Sequence, residues 1–369
     1  MSNRKRIIAI IVFFIFAVTI KNLFFSNSET APATSPATAE QAEKVTAIQI
    51  SGNVFGTSYH ITFRPNEVNE TPEQIQEGLT KFFSQFNSEF STYDPNSLIS
   101  RFNKFDQAER PFPITADFAA VIKAADRIRE QTLGYEEITV YSLVKAWGFG
   151  PGQAQENLSD ADVKQMLQHV GPDKYSLIEN SNNTYALVKH DPKVEIDLSS
   201  IAKGYAVDLA AKYLADRGAT NFLVEIGGEI VTRGNNPSNK PWQVAIEQPR
   251  EDAANSANTI ISLTNKALAT SGHYRNFRYV DGKRITHEID PFTGYSVTHD
   301  TVSLTVIADD CMTADGFSTG LYVMGADKAL EVAEKLNLAI FVIQYQDGKF
   351  ITRQSSAFAK MVESEKTVQ

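Results

Sequence analysis

One cysteine, Cys311, occurs in 369 residues, so no intrachain disulfide can form and stability has to come from an apolar core. Cys311 itself reads as a small buried hydrophobe. The chain has no GxxxxGK[ST] loop and no GxGxxG after a strand, which removes support for the standard nucleotide-binding folds. CxxC and HExxH are absent too. Basic charge is also short: 35 Lys and Arg stand against 44 Asp and Glu, a formal net charge of -9. Residues 1–21 hold four basic side chains and no acidic ones, so the remainder carries -13. Such a body repels nucleic acid. A phosphate-bearing ligand would need local help from backbone N–H groups, a helix N-terminus or a bound cation.

What is present begins with MSNRKRIIAIIVFFIFAVTIKNLFF, a basic start followed by an uncharged run from Ile7 to Ile20. Extended to Phe25, the run would span about 28 Å as a helix, close to a hydrocarbon core of about 30 Å. Residues 1–25 are therefore expected to be a signal peptide or a signal anchor, with the body on the extracytoplasmic side of an inner membrane. Residues 26–44, rich in Ser, Thr, Ala and Pro, read as a flexible tether. No second such tract and no internal repeat follows, so a single domain over 45–362 and a short tail at 363–369 are expected.

Strand-like and helix-like segments alternate without a regular βαβ rhythm, which predicts an α+β fold with mainly antiparallel sheets. Asp281-Gly282 and Asp347-Gly348 each mark a two-residue hairpin turn. The segment SSIAKGYAVDLAAKYLADRG predicts a helix capped by Ser199 or Ser200 and ended by Gly218. Two more helices are expected through MTADGFSTGLYVM and DKALEVAEKLN.

Several residues in this frame could carry chemistry. Asp315 and Thr319 are four apart, so a helix places their oxygens on one face, a hard pair suited to Mg2+. A surface Asp and a Thr bonded back to its helix would have the same spacing. Asp197 opens the long helix, with Lys203 and Asp208 in its first turns, and Gly227-Gly228 permits either a bulge or close approach by a ligand. In RITHEIDPFTG, an extended backbone puts His287 and Ile289 on one face and Glu288 and Asp290 on the other. Glu288 is then a poor partner for His287. Asp290-Pro291 starts a β-turn, which would leave His287 at the rim of a sheet.

Eight segments occur in order: GTSYHITF (56–63), STYDPNSLISRFN (91–103), ITVYSLVKAWGFGP (138–151), IDLSSIAKGYAVD (196–208), VEIGGEI (224–230), TSGHYRNF (270–277), THEIDPFTG (286–294) and TADGFSTGL (313–321). Together they resemble the ApbE family of flavin transferases over nearly the whole body. The resemblance implies an Mg2+-dependent enzyme that splits FAD, attaches FMN to a threonine of a partner protein through a phosphoester, and releases AMP. Its implied clients are subunits of membrane redox complexes of the sodium-translocating NADH:quinone reductase or Rnf type. By position, Asp315, Thr319 and the Ala202 carbonyl match the family's metal ligands, and His287 matches its catalytic histidine. Phe55, Tyr93, Glu137, Thr139, Lys203, Asp208 and Ser271 join His287 as expected FAD-site residues. His273 is a further candidate contact, and Asp309 and Asp310 are expected to support Asp315 or the metal. Phe55, Glu137 and Tyr141-Ser142 stand where the family more often has methionine, aspartate and Gly-Pro. With water as acceptor the same site would be an FAD pyrophosphatase, and without turnover a tethered FAD-binding protein.

Overall fold

The computed structural model describes residues 46–152, 154–155, 158–247, 258–272, 277–280 and 283–366. The expected membrane segment and tether, His273, and the turn residues Asp281 and Gly282 lie outside the described residues. Among the described residues no helix is long and apolar enough to cross a membrane.

The chain opens with the hairpin β1 (Ile48–Val54) and β2 (Thr57–Phe63), then α1 (Pro72–Phe90), α2 (Leu98–Lys104), β3 (Pro111–Ile114) and α3 (Ala116–Gln131). Next come α4 (Tyr141–Ala146), α5 (Asp160–Leu167), the pair β4 (Tyr175–Glu179) and β5 (Tyr185–Lys189), and the long helix α6 (Ala202–Ala215). Six strands follow: β6 (Phe222–Ile226), β7 (Glu229–Arg233), β8 (Trp242–Glu247), β9 (Asn258–Leu263), β10 (Ala267–Gly272) and β11 (Phe277–Val280). The last part holds β12 (Lys283–Thr286), β13 (Thr301–Ala308), α7 (Cys311–Met324), α8 (Ala326–Leu336), β14 (Ala339–Gln346), β15 (Lys349–Gln354) and α9 (Ser356–Lys366).

Eight strands form one sheet in the order β1-β2-β6-β7-β10-β13-β14-β15, and every pairing in it is antiparallel. The fold is thus α+β, as the sequence predicts. β14 shows why its run AIFVI carries no polar residue: Ile340 and Val342 enter the main core with α1, α3, α6 and α7. Phe341 and Ile343 point the other way, into a second core with β8, β9 and Phe358 of α9. A strand covered on both faces has no use for polar alternation.

The expected hairpins form. Gln346 pairs with Lys349 across Asp347 (φ 48°) and Gly348 (φ 76°), the left-handed pair a tight hairpin needs. Val280 pairs with Lys283 across the other. The helices expected through MTADGFSTGLYVM and DKALEVAEKLN are α7 and α8, and α6 ends in a turn at Gly218.

The start of α6 differs from expectation. Its N-cap is Ile201, which has no side-chain acceptor, so neither Ser199 nor Ser200 caps it. Ser200 instead donates to Glu136 at 2.5 Å, and the missing acceptor comes from α7. Oδ2 of Asp315 accepts the amide of Gly204 at 2.8 Å. A Cβ on Gly204 would lie 2.3 Å from the Cys311 carbonyl oxygen, so only glycine lets the two helices meet here. α6 returns the favour: Asp208 accepts the amides of Cys311 and Met312, both at 2.8 Å, at the first turn of α7. Each helix supplies a carboxylate to the other's unsatisfied N–H groups.

Candidate active site

The α6–α7 contact gathers acidic side chains away from water. Asp315 is 4% exposed, and Glu136, Glu229 and Glu288 are 1%, 3% and 7% exposed. Burial, then the neighbouring Glu229, pushes the Asp315 carboxyl well above its usual range, against the pull of Lys203 and the Gly204 amide. Burial also raises Glu136 strongly, with Asp315 and Glu288 adding to it. Against this surplus stands Lys203, whose Nζ is 2.6 Å from Oε2 of Glu229. Burial opposes its charge, yet Glu229 and Asp315 outweigh that and hold the ammonium above the ordinary lysine value. Hydroxyls complete the lining: Ser271 on β10 lies 2.8 Å from the Ser318 hydroxyl and 3.1 Å from that of Thr319 on α7.

These donors are all oxygen, with excess negative charge. Among the described residues, no three His, Cys, Asp or Glu side chains group as a metal site. One carboxylate, a hydroxyl and a helix carbonyl are, however, a donor set that a hard divalent cation accepts, with water or phosphate oxygens filling the rest. Asp315, Thr319 and Ala202 fit that group, and the buried surplus of carboxylates favours a cation.

His287 follows the end of β12. Its Nε2 lies 3.2 Å from Oε1 of Glu288, so the expectation that these two avoid each other is corrected. The strict alternation stops at Thr286, and the chain bends before the Ile289–Ser296 bridge, which frees neighbouring side chains to meet. Burial raises Glu288, while the nearby His287 and then Lys203 pull it down. The expected turn forms: Gly294 donates to the Asp290 carbonyl, and Oδ1 of Asp290 accepts from Phe292.

An aromatic rim adjoins the histidine. The Phe149 ring is 6.2 Å from the His287 ring, and the hydroxyl of Tyr93, itself 68% exposed, donates to the Phe149 carbonyl at 3.2 Å. Asp197 acts on both ends of this rim through its charge: burial raises its carboxyl, Ser199 and then His287 pull it down, and it adds to the burial that raises Tyr93. Burial, then Asp197, pushes the Tyr141 hydroxyl up to about 12.

The other expected residues have partners of their own. Phe55, in the β1–β2 turn, packs on Phe83 and Phe86 of α1 and lines a surface depression of about 450 Å³ with Gln76 and Asn87. Glu137 holds Arg129 at 2.6 Å and accepts the amide and hydroxyl of Thr139, whose oxygen in turn accepts from Gly171. Asp208 is committed to the α7 amides; burial brings its carboxyl up to about 6 even so. The expected support for Asp315 from Asp309 and Asp310 is corrected: Asp309 pairs with Lys266 at 2.5 Å, and Asp310 caps α7 through Thr313. Adjacent helix-entry positions point in different directions, so proximity in sequence misleads there. Sequence reasoning missed Glu136, Glu229 and Glu288 as contributors. Glu229, directly after Gly227-Gly228, was the one with a visible signal.

A model of the ApbE family matches residues 55–342. The FAD:protein FMN transferase of Haemophilus influenzae is 42% identical over 347 residues, covering 94% of this chain and 99% of that protein. Among solved structures, the flavin transferase ApbE from Vibrio cholerae aligns with a TM-score of 0.78 and 36% identity, over 86% of this chain and 99% of its own. The apo flavinyl transferase ApbE of Pseudomonas stutzeri also aligns at 0.78, with 30% identity and coverage of 86% and 97%. With the family model spanning most of the chain and the fold shared over 86% of it, this protein belongs to the ApbE family.

Proposed function

We infer that this chain is an FAD:protein FMN transferase, taking FAD as substrate and a protein as acceptor. The observation that carries the site assignment is the buried carboxylate surplus at the α6–α7 contact, with His287 beside it. In this reading Asp315, the Thr319 hydroxyl and the Ala202 carbonyl hold Mg2+. When bound, the ion neutralises charge on pyrophosphate oxygens, which a body of charge -13 otherwise repels.

The chain's own residues do the rest. Tyr93 and Phe149 border the place where a flavin or adenine ring would lie, and Lys203 brings positive charge to the phosphates. A client threonine hydroxyl attacks the FMN-side phosphorus; the bond from that phosphorus to the AMP oxygen breaks, and AMP leaves as a phosphate that scarcely needs a proton near neutral pH. The hydroxyl proton goes to His287, a general base worth about 10²- to 10⁴-fold. Glu288, at 3.2 Å, fixes the ring.

The clients fitting this reading are threonine-bearing subunits of membrane redox complexes, of the sodium-translocating NADH:quinone reductase or Rnf type. Residues 1–25 would direct the enzyme to the periplasmic side of the inner membrane, either as a cleaved signal peptide or as a retained anchor that holds it there through residues 26–44. The test is mass spectrometry of a candidate subunit after incubation with FAD, Mg2+ and this protein. A mass gain matching FMN, abolished by EDTA, supports the reading; free FMN with no gain on the subunit replaces it with a pyrophosphatase.

A further inference from the structure

The surface beyond the turn that follows His287 carries large apolar side chains left substantially exposed. Leu133 is 65% exposed and Phe292 57% exposed, and Gly134, the residue after Leu133, approaches the Phe292 ring. A Cβ on Gly134 would lie 3.1 Å from Cζ of that ring. Tyr135 meets Phe292 edge-on with ring centroids 4.9 Å apart, and Lys328 donates to the Tyr135 hydroxyl at 2.9 Å, which sets a cation at the rim. Tyr295, 37% exposed, extends the patch along the same turn to Trp147, at 5.7 Å between rings. The turn begins three residues after His287, and Val297 bonds back to the Glu288 carbonyl, so patch and histidine share one short loop.

Leu133 supplies a second, independent observation. It follows α3 in the left-handed region, at φ 56°, with its amide on the Glu130 carbonyl. That position favours glycine, and a branched side chain there is strained. The strain brings no packing in return, because the side chain stands in water. Exposed apolar patches of this kind mark interaction sites. A protein acceptor has to cover the surface around the histidine for its hydroxyl to arrive there, and an aromatic centre with a charged rim is how protein interfaces are built.

We propose that Leu133, Phe292 and Tyr295 form the docking surface for the folded protein client, with Lys328 meeting an acidic group at its edge. The proposal rests on the FMN-transfer reading. The test is to follow flavin fluorescence on a folded redox-subunit domain bearing an acceptor threonine, over a range of concentrations, with wild type, Leu133→Ser/Phe292→Ser and Leu133→Gly. Expected for the double variant are a client KM raised about tenfold, a kcat at saturating client within twofold of wild type, and unchanged FAD affinity. Leu133→Gly should melt higher, because the strain is gone, and still raise the client KM severalfold. An unchanged client KM in both variants overturns the proposal. So does a loss of kcat or FAD affinity at constant KM, which would make the patch a prop for the site. Weaker co-sedimentation with phosphatidylethanolamine–phosphatidylglycerol vesicles at constant client KM assigns the patch to the membrane and also overturns it. If wild type labels no client, the transfer reading fails separately, and direct binding of the domain to immobilised wild type and variants, which needs no turnover, still decides the docking claim.

Discussion

The amide of Gly204 donates to Oδ2 of Asp315 at 2.8 Å, so the residue proposed to hold the metal is also the residue that completes the first turn of α6. The bond fixes the carboxylate beside Lys203 and Glu229 before any ligand arrives, and it means that metal loss and helix disruption have to be separated in any mutant.

Asp315→Asn does so, because an amide oxygen still accepts from Gly204 while the buried charge is gone. Without Mg2+ the variant is expected to melt at or above the wild-type temperature, since an uncompensated buried carboxylate is unfavourable. Mg2+ should raise the wild-type melting temperature and leave the variant's unchanged, and FMN transfer should fall at least ~10²-fold. Thermal melts with and without Mg2+ check this; a variant still stabilised by Mg2+ places the ion elsewhere.

Gly204→Ala attacks the same contact from the other side. The added methyl would lie 2.3 Å from the Cys311 carbonyl, so α6 and α7 must separate, a strain of about 1–3 kcal/mol. Urea unfolding should show that loss, and Mg2+ affinity should drop with it. A variant as stable as wild type would show that the helices yield without consequence.

Metal binding should depend on pH in a defined direction. The Asp315 pKa is raised by burial and by Glu229, so at lower pH a proton competes for the oxygens that a cation needs. Apparent Mg2+ affinity is expected to rise with pH, approaching tenfold per unit where one proton is released on binding. Calorimetric titrations at pH 6, 7 and 8 read this directly; an affinity independent of pH contradicts it.

Lys189 offers a stability test outside the site. It has no exposed surface, its Nζ donates to the Asn103 carbonyl at 3.1 Å, and burial lowers its pKa to about 8 despite Glu195 and Asp191. Between about pH 8 and an unfolded value near 10.4, the unfolded chain binds more protons, so stability rises with pH across that window. Below pH 8 the penalty is fully present, about 3 kcal/mol from the shift. Lys189→Met should therefore stabilise the protein at pH 7 by ~1–3 kcal/mol and flatten its stability between pH 8 and 10, measured by denaturant titration.

What was legible in the sequence was local. The α7 helix, the Asp347-Gly348 hairpin and the Asp290–Gly294 turn each depend on spacing or turn chemistry within a few residues, and all form as read. The cap of α6 was not legible, because its acceptor comes from Asp315, 111 positions away. Nor was the His287–Glu288 contact, since alternation holds only while the strand continues and β12 stops at Thr286. Glu136 and Glu288 join the acidic cluster through tertiary packing alone, and Asp309 turns out to Lys266 for the same reason. Local rules left Asp315 and Thr319 ambiguous between a metal pair and an ordinary helix face, and only the eight-segment resemblance favoured the first reading.

The most direct measurement compares wild type with His287→Ala in one assay pair: FAD affinity by fluorescence titration, and FMN attachment to a threonine-bearing redox subunit by intact mass. The account predicts unchanged FAD binding and transfer slowed by at least ~10²-fold. Normal transfer by the variant would contradict it, because the proton of the attacking hydroxyl would then be leaving by another route.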